Sequence, residues 1–449
     1  MENIDRTNDV ILLFDTYSTE SQDLHTSFKM TGQNYLAVVL QDDGFLPEDV
    51  ISVYSYFLGD FENAEGSLGR PRYFNQITVP EYWEISGNNA SGKIHDMNKE
   101  RGRIFYAEPK NKRYVKVVDW LDDNGKVRSS DHYNCYGALY ARTTFNANSQ
   151  KVNKSFFSAD GKEVIVENYV TGDIILNEGE LVKIFHTKMD FILYFMEKVA
   201  KKDTRLFFNT LSTPFFVSQR MAPTVKKDIL FWQEPARNDI PGNMKVILDG
   251  NSTRTERIMV QNEAAYNNLV ALGASKDILH KLGYIYPIDR ANMHRLEALI
   301  CTNSDRIEKC AEIVEALPEM QFHIVALTEM SSKLMQMGEY ENVNLYPTVK
   351  MDVLDGLFEN CDFYLDINHE GEIVSAVKRA FLNNQLIFAF NETTHNRNYI
   401  ATEHIFDSKH VNRMIADIQM IMMNPQLIEE SLKLQHAAAM AEQTAAYNL

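Results

Sequence analysis

No window of the chain approaches the roughly 18 apolar residues that a membrane-spanning helix requires. The N-terminal MENIDRTNDVILLFD is acidic and holds only a five-residue apolar run, so it reads as neither a secretory leader nor an anchor. A cytoplasmic protein is expected. Cysteine is scarce: Cys135, Cys301, Cys310 and Cys361 are scattered without metal-ligand spacing, as core thiols in a reducing compartment would be. Cations are in deficit, 45 Lys and Arg against 62 Asp and Glu for a formal charge of −17, which argues against general nucleic-acid binding. Glycine is missing where a phosphate site would need it. The turn after the first apolar strand reads DTYSTESQDLH, without the bare backbone that lets N–H groups approach a diphosphate. Acidic pairs such as Asp42-Asp43 and Asp122-Asp123 adjoin turn glycines, where aspartate serves local hydrogen bonding, and the histidines show no ligand spacing. No metal and no cofactor is expected.

What is present is an ordinary globular composition, 45% hydrophobic and 24% charged, in 449 residues, enough for two or three domains. From Val10 to about residue 60, short apolar runs (VILLF, YLAVVLQ) alternate with a helical pattern, the mark of a parallel α/β sheet. Between Ser67 and Lys188 the texture changes. RIFYAEP, RYVKVVDWLD, GALYARTTF, EVIVENYV and DIILN follow one another with hairpin punctuation at DDNGK and SADGK, and no helical period intervenes. After MDFILYFMEKVAKK the α/β texture resumes in RLFFNTLS and DILFWQEP. A second α/β unit is read from Gly242, with VILDG, RIMVQ, LGYIYP, LEALICTN, FHIVAL, VNLYP, FYLDIN and LIFAF as its strands.

The expected division is therefore a first Rossmann-like domain in two parts, 1–66 and 189–241, an inserted antiparallel meander at 67–188, a second Rossmann-like domain at 242–424, and a C-terminal helix at 425–449. The fold class is α/β, a GT-B-like pair of Rossmann-type domains with a large β-meander inserted in the first. That is the architecture of one class of glycosyltransferases.

One motif tests whether the chemistry of that class is present. Its retaining members place a glutamate at the start of a turn after a buried strand and a second glutamate eight positions later, which accepts hydrogen bonds from the ribose of a nucleotide sugar. Here EGEIVSAVK begins at Glu370, and the eighth position after it holds Lys378. Lysine has three donors and no acceptor, so it cannot take the ribose role. A second reading makes the stretch a plain helix start, with Glu370 and Glu372 favouring the helix dipole. In LICTNSDRIEK, Thr302 and Asn303 stand where a glycine and a phosphate-binding arginine are usual, with Lys309 near the usual lysine. Three donor contacts are missing or altered.

The opening FDTYSTESQDLHTSFKMTG, the stretch VVLQDDGFLPEDVISVYSYFLGD, the meander, ALTEMSSKLM and NLYP together resemble the GtfB family over essentially the whole chain. The resemblance implies a non-catalytic partner subunit of a bacterial protein O-GlcNAc transferase of the accessory Sec system. Such a subunit would stabilise a catalytic sister, GtfA-like, and recognise a Ser/Thr-rich repeat adhesin before export, with peripheral association at the inner face of the cell membrane through the complex. The alternative is a divergent retaining glycosyltransferase with weak nucleotide-sugar activity of its own. Aromatic residues are dense in the meander, and Trp83, Tyr106, Tyr114, Trp120 and Tyr136 are the candidate contacts for an extended acceptor chain.

Overall fold

The computed structural model describes residues 8–62, 64, 67–288 and 290–449. It divides into two compact units, the first ending at Lys281 and the second comprising Leu282–Leu449 together with Thr26–Thr31.

The first unit is built on a seven-stranded sheet. Val10–Phe14 lies between Tyr35–Val39 and Arg205–Phe208; Val50–Ser52 extends one side and Asp228–Trp232, Thr255–Val260 and Leu279–Lys281 the other, all parallel. The central strands VILLF, RLFF and DILFW are buried along their whole length, as strands covered on both faces must be. Two of the expected strands therefore change place. RIMVQ supplies the strand Thr255–Val260 of this first sheet, because alternation of strand and helix says nothing about which sheet a strand joins. The apolar part of VILDG, Val246–Leu248, ends the helix Gly242–Leu248: Pro241 precedes the helix, Met244 and Ile247 are buried three apart, and Gly250 follows it at φ +70°.

The inserted sheet has ten antiparallel strands in simple chain order from Trp83–Gly87 to Leu181–Phe185. Its two halves bury opposite faces. In the outer half, Ile94, Ile104, Val115, Val118 and Tyr106 pack with Ile77, Phe74 and Val79 of the preceding segment. The inner half turns the other face to the first sheet: Ala141, Phe156, Ile165 and Leu176, cross-strand partners in one row, belong to that sheet's core. The DDGFLPE loop holds the two sheets together. Asp42 accepts the Gly44 N–H at 2.7 Å and the Ser52 hydroxyl at 2.5 Å, and the Gly44 carbonyl accepts the Cys135 N–H at 2.8 Å. Gly44 sits at φ +82°, where a Cβ would lie 2.8 Å from both the Tyr133 carbonyl and the Tyr140 ring, so only glycine fits.

The second unit carries six parallel strands in the order Val343–Tyr346, Gln321–Ala326, Glu297–Thr302, Phe363–Asp366, Leu386–Phe390, Ile405–Phe406. The expected strand LGYIYP is not one; Tyr284 makes a single bridge to Ala441. Pro425–Ala438 is helical, started by Asn424, whose side chain accepts the Gln426 N–H, with Pro425 in the first turn.

In each of the two parallel sheets a buried aspartate gathers donors at the end where the strands begin. Asp228 accepts both arms of buried Arg254, at 2.8 and 3.0 Å, together with the Leu206 N–H and the Ser218 hydroxyl. Asp362 accepts from Arg290, Arg295 and the N–H groups of Met293 and Arg295. Removing one partner leaves a buried charge unpaired. Arg254→Met should therefore lower unfolding stability by about 3–5 kcal/mol, and adding Asp228→Leu should restore much of it, as read from denaturant midpoints of the single and double variants.

Candidate functional site

In an open parallel sheet, ligands bind beyond the carboxyl ends of the strands where strand order reverses. In the second unit that point lies between Glu297–Thr302 and Phe363–Asp366, and the altered motif positions converge there.

Thr302 is fully buried; its hydroxyl lies 2.7 Å from both the Ser304 carbonyl and the Asn368 side-chain oxygen, and it accepts the Ser304 N–H. The Asn303 amide donates to the Gly371 carbonyl at 2.8 Å, and the Asn368 amide to the Glu370 carbonyl at 2.9 Å. The turn after one strand is thus tied to the turn after its neighbour. His395 closes the knot. One ring nitrogen lies 2.5 Å from the Asp366 carboxylate, the other 2.5 Å from the Glu370 carbonyl, and its backbone N–H reaches Asp366 at 2.7 Å. Both ring nitrogens face acceptors, so the ring is held as imidazolium. The Asp366 hydrogen bond is the main cause, burial opposes it, and the pKa rises to about 9.

The cations near this turn are engaged as well. Arg306 pairs with Glu370 at 3.0 Å, and Lys309, in left-handed backbone, pairs with Glu312 at 2.7 Å. Glu370 therefore faces Arg306, while Glu372 acts on the helix as the plain-helix reading expects, accepting the Val377 N–H at 2.7 Å. That helix, Ala376–Leu382, follows two left-handed residues, Val374 and Ser375, and carries Lys378 half-buried in its first turn. A diphosphate arriving here would meet amides and guanidinium groups already bonded within the protein.

The reversal point of the first sheet is more open. Asp15, Ser18, Glu20, Ser21, Asn209, Thr210, Gln233 and Glu234 line a polar cavity of about 330 Å³. Asn209 donates to Ser21 and to Gln233, both at 2.8 Å, and its buried carbonyl oxygen has no partner. Asp15, Ser18, Glu20 and Ser21 belong to the turn DTYSTESQDLH read above for its lack of glycine, whereas Asn209, Thr210, Gln233 and Glu234 carried no signal but position, directly after RLFF and DILFW.

The meander candidates separate by face. Trp83, Tyr106 and Trp120 share the face covered by the 74–80 segment. Tyr106 is only 5% exposed, which removes it from the surface candidates, while Trp83 stacks under Arg101 and Trp120 donates to Asp131 at 2.9 Å. Tyr114 is half-buried beside Tyr73, and Tyr136 lines a separate cavity of about 250 Å³ between the DDGFLPE loop and the 134–140 turn. Strand period 2 explains the exchange: Phe105, next to Tyr106, points to the opposite face and is 45% exposed. Tyr82, at φ +69°, is the most exposed tyrosine beside Trp83.

Comparison with known proteins matches the chain to family models segment by segment. Residues 11–57 match the GtfB N-terminal domain, 83–186 the GtfB middle domain, 188–272 the GtfB third domain and 298–435 the GftB/GlyA-F C-terminal domain. The stabilizing protein GtfB of a UDP-N-acetylglucosamine–peptide N-acetylglucosaminyltransferase, from Streptococcus gordonii, is 42% identical over 95% of this chain and 94% of its own length. The chain belongs to the GtfB family. A chain of a crystallised GtfA/B complex bound to UDP and GlcNAc superposes with a TM-score of 0.90 at 41% identity, covering 98% of both. The pneumococcal O-GlcNAc transferase GtfA shares the GT-B-like fold at a TM-score of 0.53 and 14% identity, over 98% of this chain and 97% of that one. GtfB relatives carry the name of stabilising proteins, which fits a reversal point closed by its own hydrogen bonds.

Two outcomes follow. Lys378→Glu restores one acceptor but leaves the Thr302–Asn303–Asn368 tie intact, so the isolated protein should show no sugar transfer from UDP-GlcNAc; turnover by that single variant would contradict the closed site. The raised pKa of His395 stabilises the fold fully below the ordinary value of 6.5, and this contribution is lost as pH rises through about 9. The urea-midpoint gap between the parent and His395→Asn should therefore be widest near pH 6 and narrow towards pH 10.

Proposed function

We propose that the chain is the non-catalytic partner subunit of a peptide O-GlcNAc transferase, stabilising a GtfA-like sister and presenting a Ser/Thr-rich acceptor to it. The observation that carries this is the self-satisfied turn network at Thr302, Asn303, Asn368 and His395 in a chain that belongs to the GtfB family. No helix among the described residues is long and apolar enough to cross a membrane, so association with the inner membrane face is peripheral in this reading.

The surface for the sister is the last meander strand, Leu181–Phe185. It is a sheet edge with Leu181, Val182 and Ile184 exposed at 65, 63 and 59%, a feature natural proteins usually cover. The acceptor surface is the outer half of the meander. A flexible, hydrophilic chain loses several kcal/mol on ordering, so it needs many shallow contacts. Phe105 and Tyr82 offer exposed aromatic area there with the half-buried Tyr114 as a further candidate, while Trp83 and Trp120, on the face under the 74–80 segment, and Tyr136, in its own cavity, are secondary candidates.

The alternative, an independent weak transferase, separates on one assay: UDP-GlcNAc with unmodified serine-rich repeat peptide, with and without the sister. Transfer should require the sister. Two sets of variants test the surfaces. Val182→Lys with Ile184→Lys should abolish co-purification of the two chains while leaving this one folded. Phe105→Ala and Tyr82→Ala should each weaken peptide binding by about 1 kcal/mol or more, whereas Tyr106→Phe should leave it unchanged. If meander variants that fold and pair bind peptide as tightly as the parent, the acceptor assignment is wrong.

A further inference from the structure

The end of the first sheet opposite its polar cavity carries a charge pattern unlike the rest of the chain. The N-terminal ends of Arg205–Phe208, Asp228–Trp232 and Thr255–Val260 lie side by side. Arg205, Lys227 and Arg257 gather there: Arg205 donates to the Lys227 carbonyl at 2.8 Å, and the positive charge of Arg257 acts on it. Lys201 pairs with Asp9, which also feels Lys226, so these two cations belong to the same cluster. Arg220 ends the helix that leads into it. Among the described residues, Asp9, Asp203, Asp249 and Glu256 are set against these six; Asp228 is buried on Arg254. In a protein with 17 more acids than bases, the described residues of this edge carry a local excess of positive charge.

The loop that caps it, residues 221–227 (MAPTVKK), presents apolar groups outward. Val225 is 91% exposed, with Ala222 and Pro223 exposed beside it. The exposure is built in. Thr224 is buried and donates its hydroxyl to the Lys226 carbonyl at 2.5 Å, which turns Val225 out, and Arg254 holds the Ala222 carbonyl. Lys226 and Lys227 directly follow the valine, and the Lys227 ammonium also donates to the Thr253 carbonyl at 3.1 Å. An apolar tip followed by two lysines on a basic edge matches an anionic bilayer surface, whose headgroups attract the cations while the tip enters the interface. A soluble polyanion would use the charges and gain nothing from the valine.

We propose that the 221–227 loop and the basic edge around it form a docking surface for anionic lipid headgroups. This rests on the peripheral association read above and gives it a location in this chain, without the sister. Because the edge lies at the opposite end of the strands from the polar cavity, lipid binding leaves that cavity open to the cytoplasm.

The test is co-sedimentation of the purified chain with phosphatidylcholine vesicles, with and without about 30% phosphatidylglycerol, at low and high salt. The parent should bind only the anionic vesicles, and less at high salt. Lys226→Glu should weaken binding about tenfold or more, while Lys110→Glu on an exposed meander turn, with the same change in net charge, should have little effect. Val225→Ser should weaken binding several-fold, and Val225→Trp should show a blue-shifted emission on anionic vesicles that the parent lacks. Circular dichroism and thermal unfolding establish that each variant is folded. If Lys226→Glu and Val225→Ser bind as the parent does, this surface is wrong and peripheral association stands on another. If the parent binds neither vesicle, the surface is likewise excluded, and repeating the measurement with the sister present decides the broader reading separately. Complete competition by polyphosphate together with a neutral Val225→Ser would make the edge a simple anion site and overturn the membrane assignment.

Discussion

The cross-tie between two turns, Thr302–Asn303 on one strand and Asn368–Gly371 on the next, constrains the second unit more than any single substitution. Backbone and amide groups at a strand-order reversal normally remain available to a ligand because the strands fan apart there. Here the Asn303 amide takes the Gly371 carbonyl, and His395 bridges Asp366 to the Glu370 carbonyl. To admit a diphosphate the protein would have to break these bonds and leave partly buried groups without partners, each costing about 1–3 kcal/mol. Lys378 is then one of several features of a closed turn rather than the cause of lost chemistry.

The opposite ends of both sheets show the same device used for stability. Asp228 and Asp362 each collect guanidinium and backbone donors, fixing where neighbouring strands begin. With the strand starts pinned, the turns at the far ends can vary without loosening the sheet. This separation lets the turns at the reversal point of the second sheet be filled by internal contacts without loosening the strand starts. It also leaves the basic edge around Arg205 and Lys226 outside the region where sugar chemistry would act.

Much of this was legible in the sequence because burial on both faces writes itself as continuous apolar runs. VILLF, RLFF, DILFW, FYLDIN and LIFAF each contain a strand of the sheets. Lysine at 378 excluded an acceptor role by its valence alone. What was not legible depended on partners far away in the chain. RIMVQ could not announce which sheet it joined, and VILDG resembled a strand because its apolar triplet hid the three-residue spacing of Met244 and Ile247. The aromatic candidates were chosen by density, although alternation within RIFYAEP separates Phe105 from Tyr106; which face was covered depended on the 74–80 segment. The Asn303–Gly371 and His395–Asp366 bonds join residues 68 and 29 positions apart and leave no local pattern.

The change of buried face along the meander bears on how an extended chain could use it. Phe105, Val117, His132, Ala141 and Phe156 are successive cross-strand neighbours in one row. The row begins exposed at Phe105 and ends buried at Ala141 and Phe156, under the first sheet. His132 lies near the transition, and burial together with Lys154, Lys151 and Lys116 lowers its pKa to about 3, so it stays neutral there at physiological pH. A flexible acceptor lying along the exposed part of this face would be stopped where the first sheet covers the row. Contact would therefore be confined to the outer strands, and a chain entering from the free end would be directed towards the DDGFLPE loop, where Gly44 fixes the junction of the two sheets. For an acceptor bound in the proposed way, rigidity at that junction would matter more than any one aromatic ring, because a meander free to tilt would lose the fixed stop that the proposal requires.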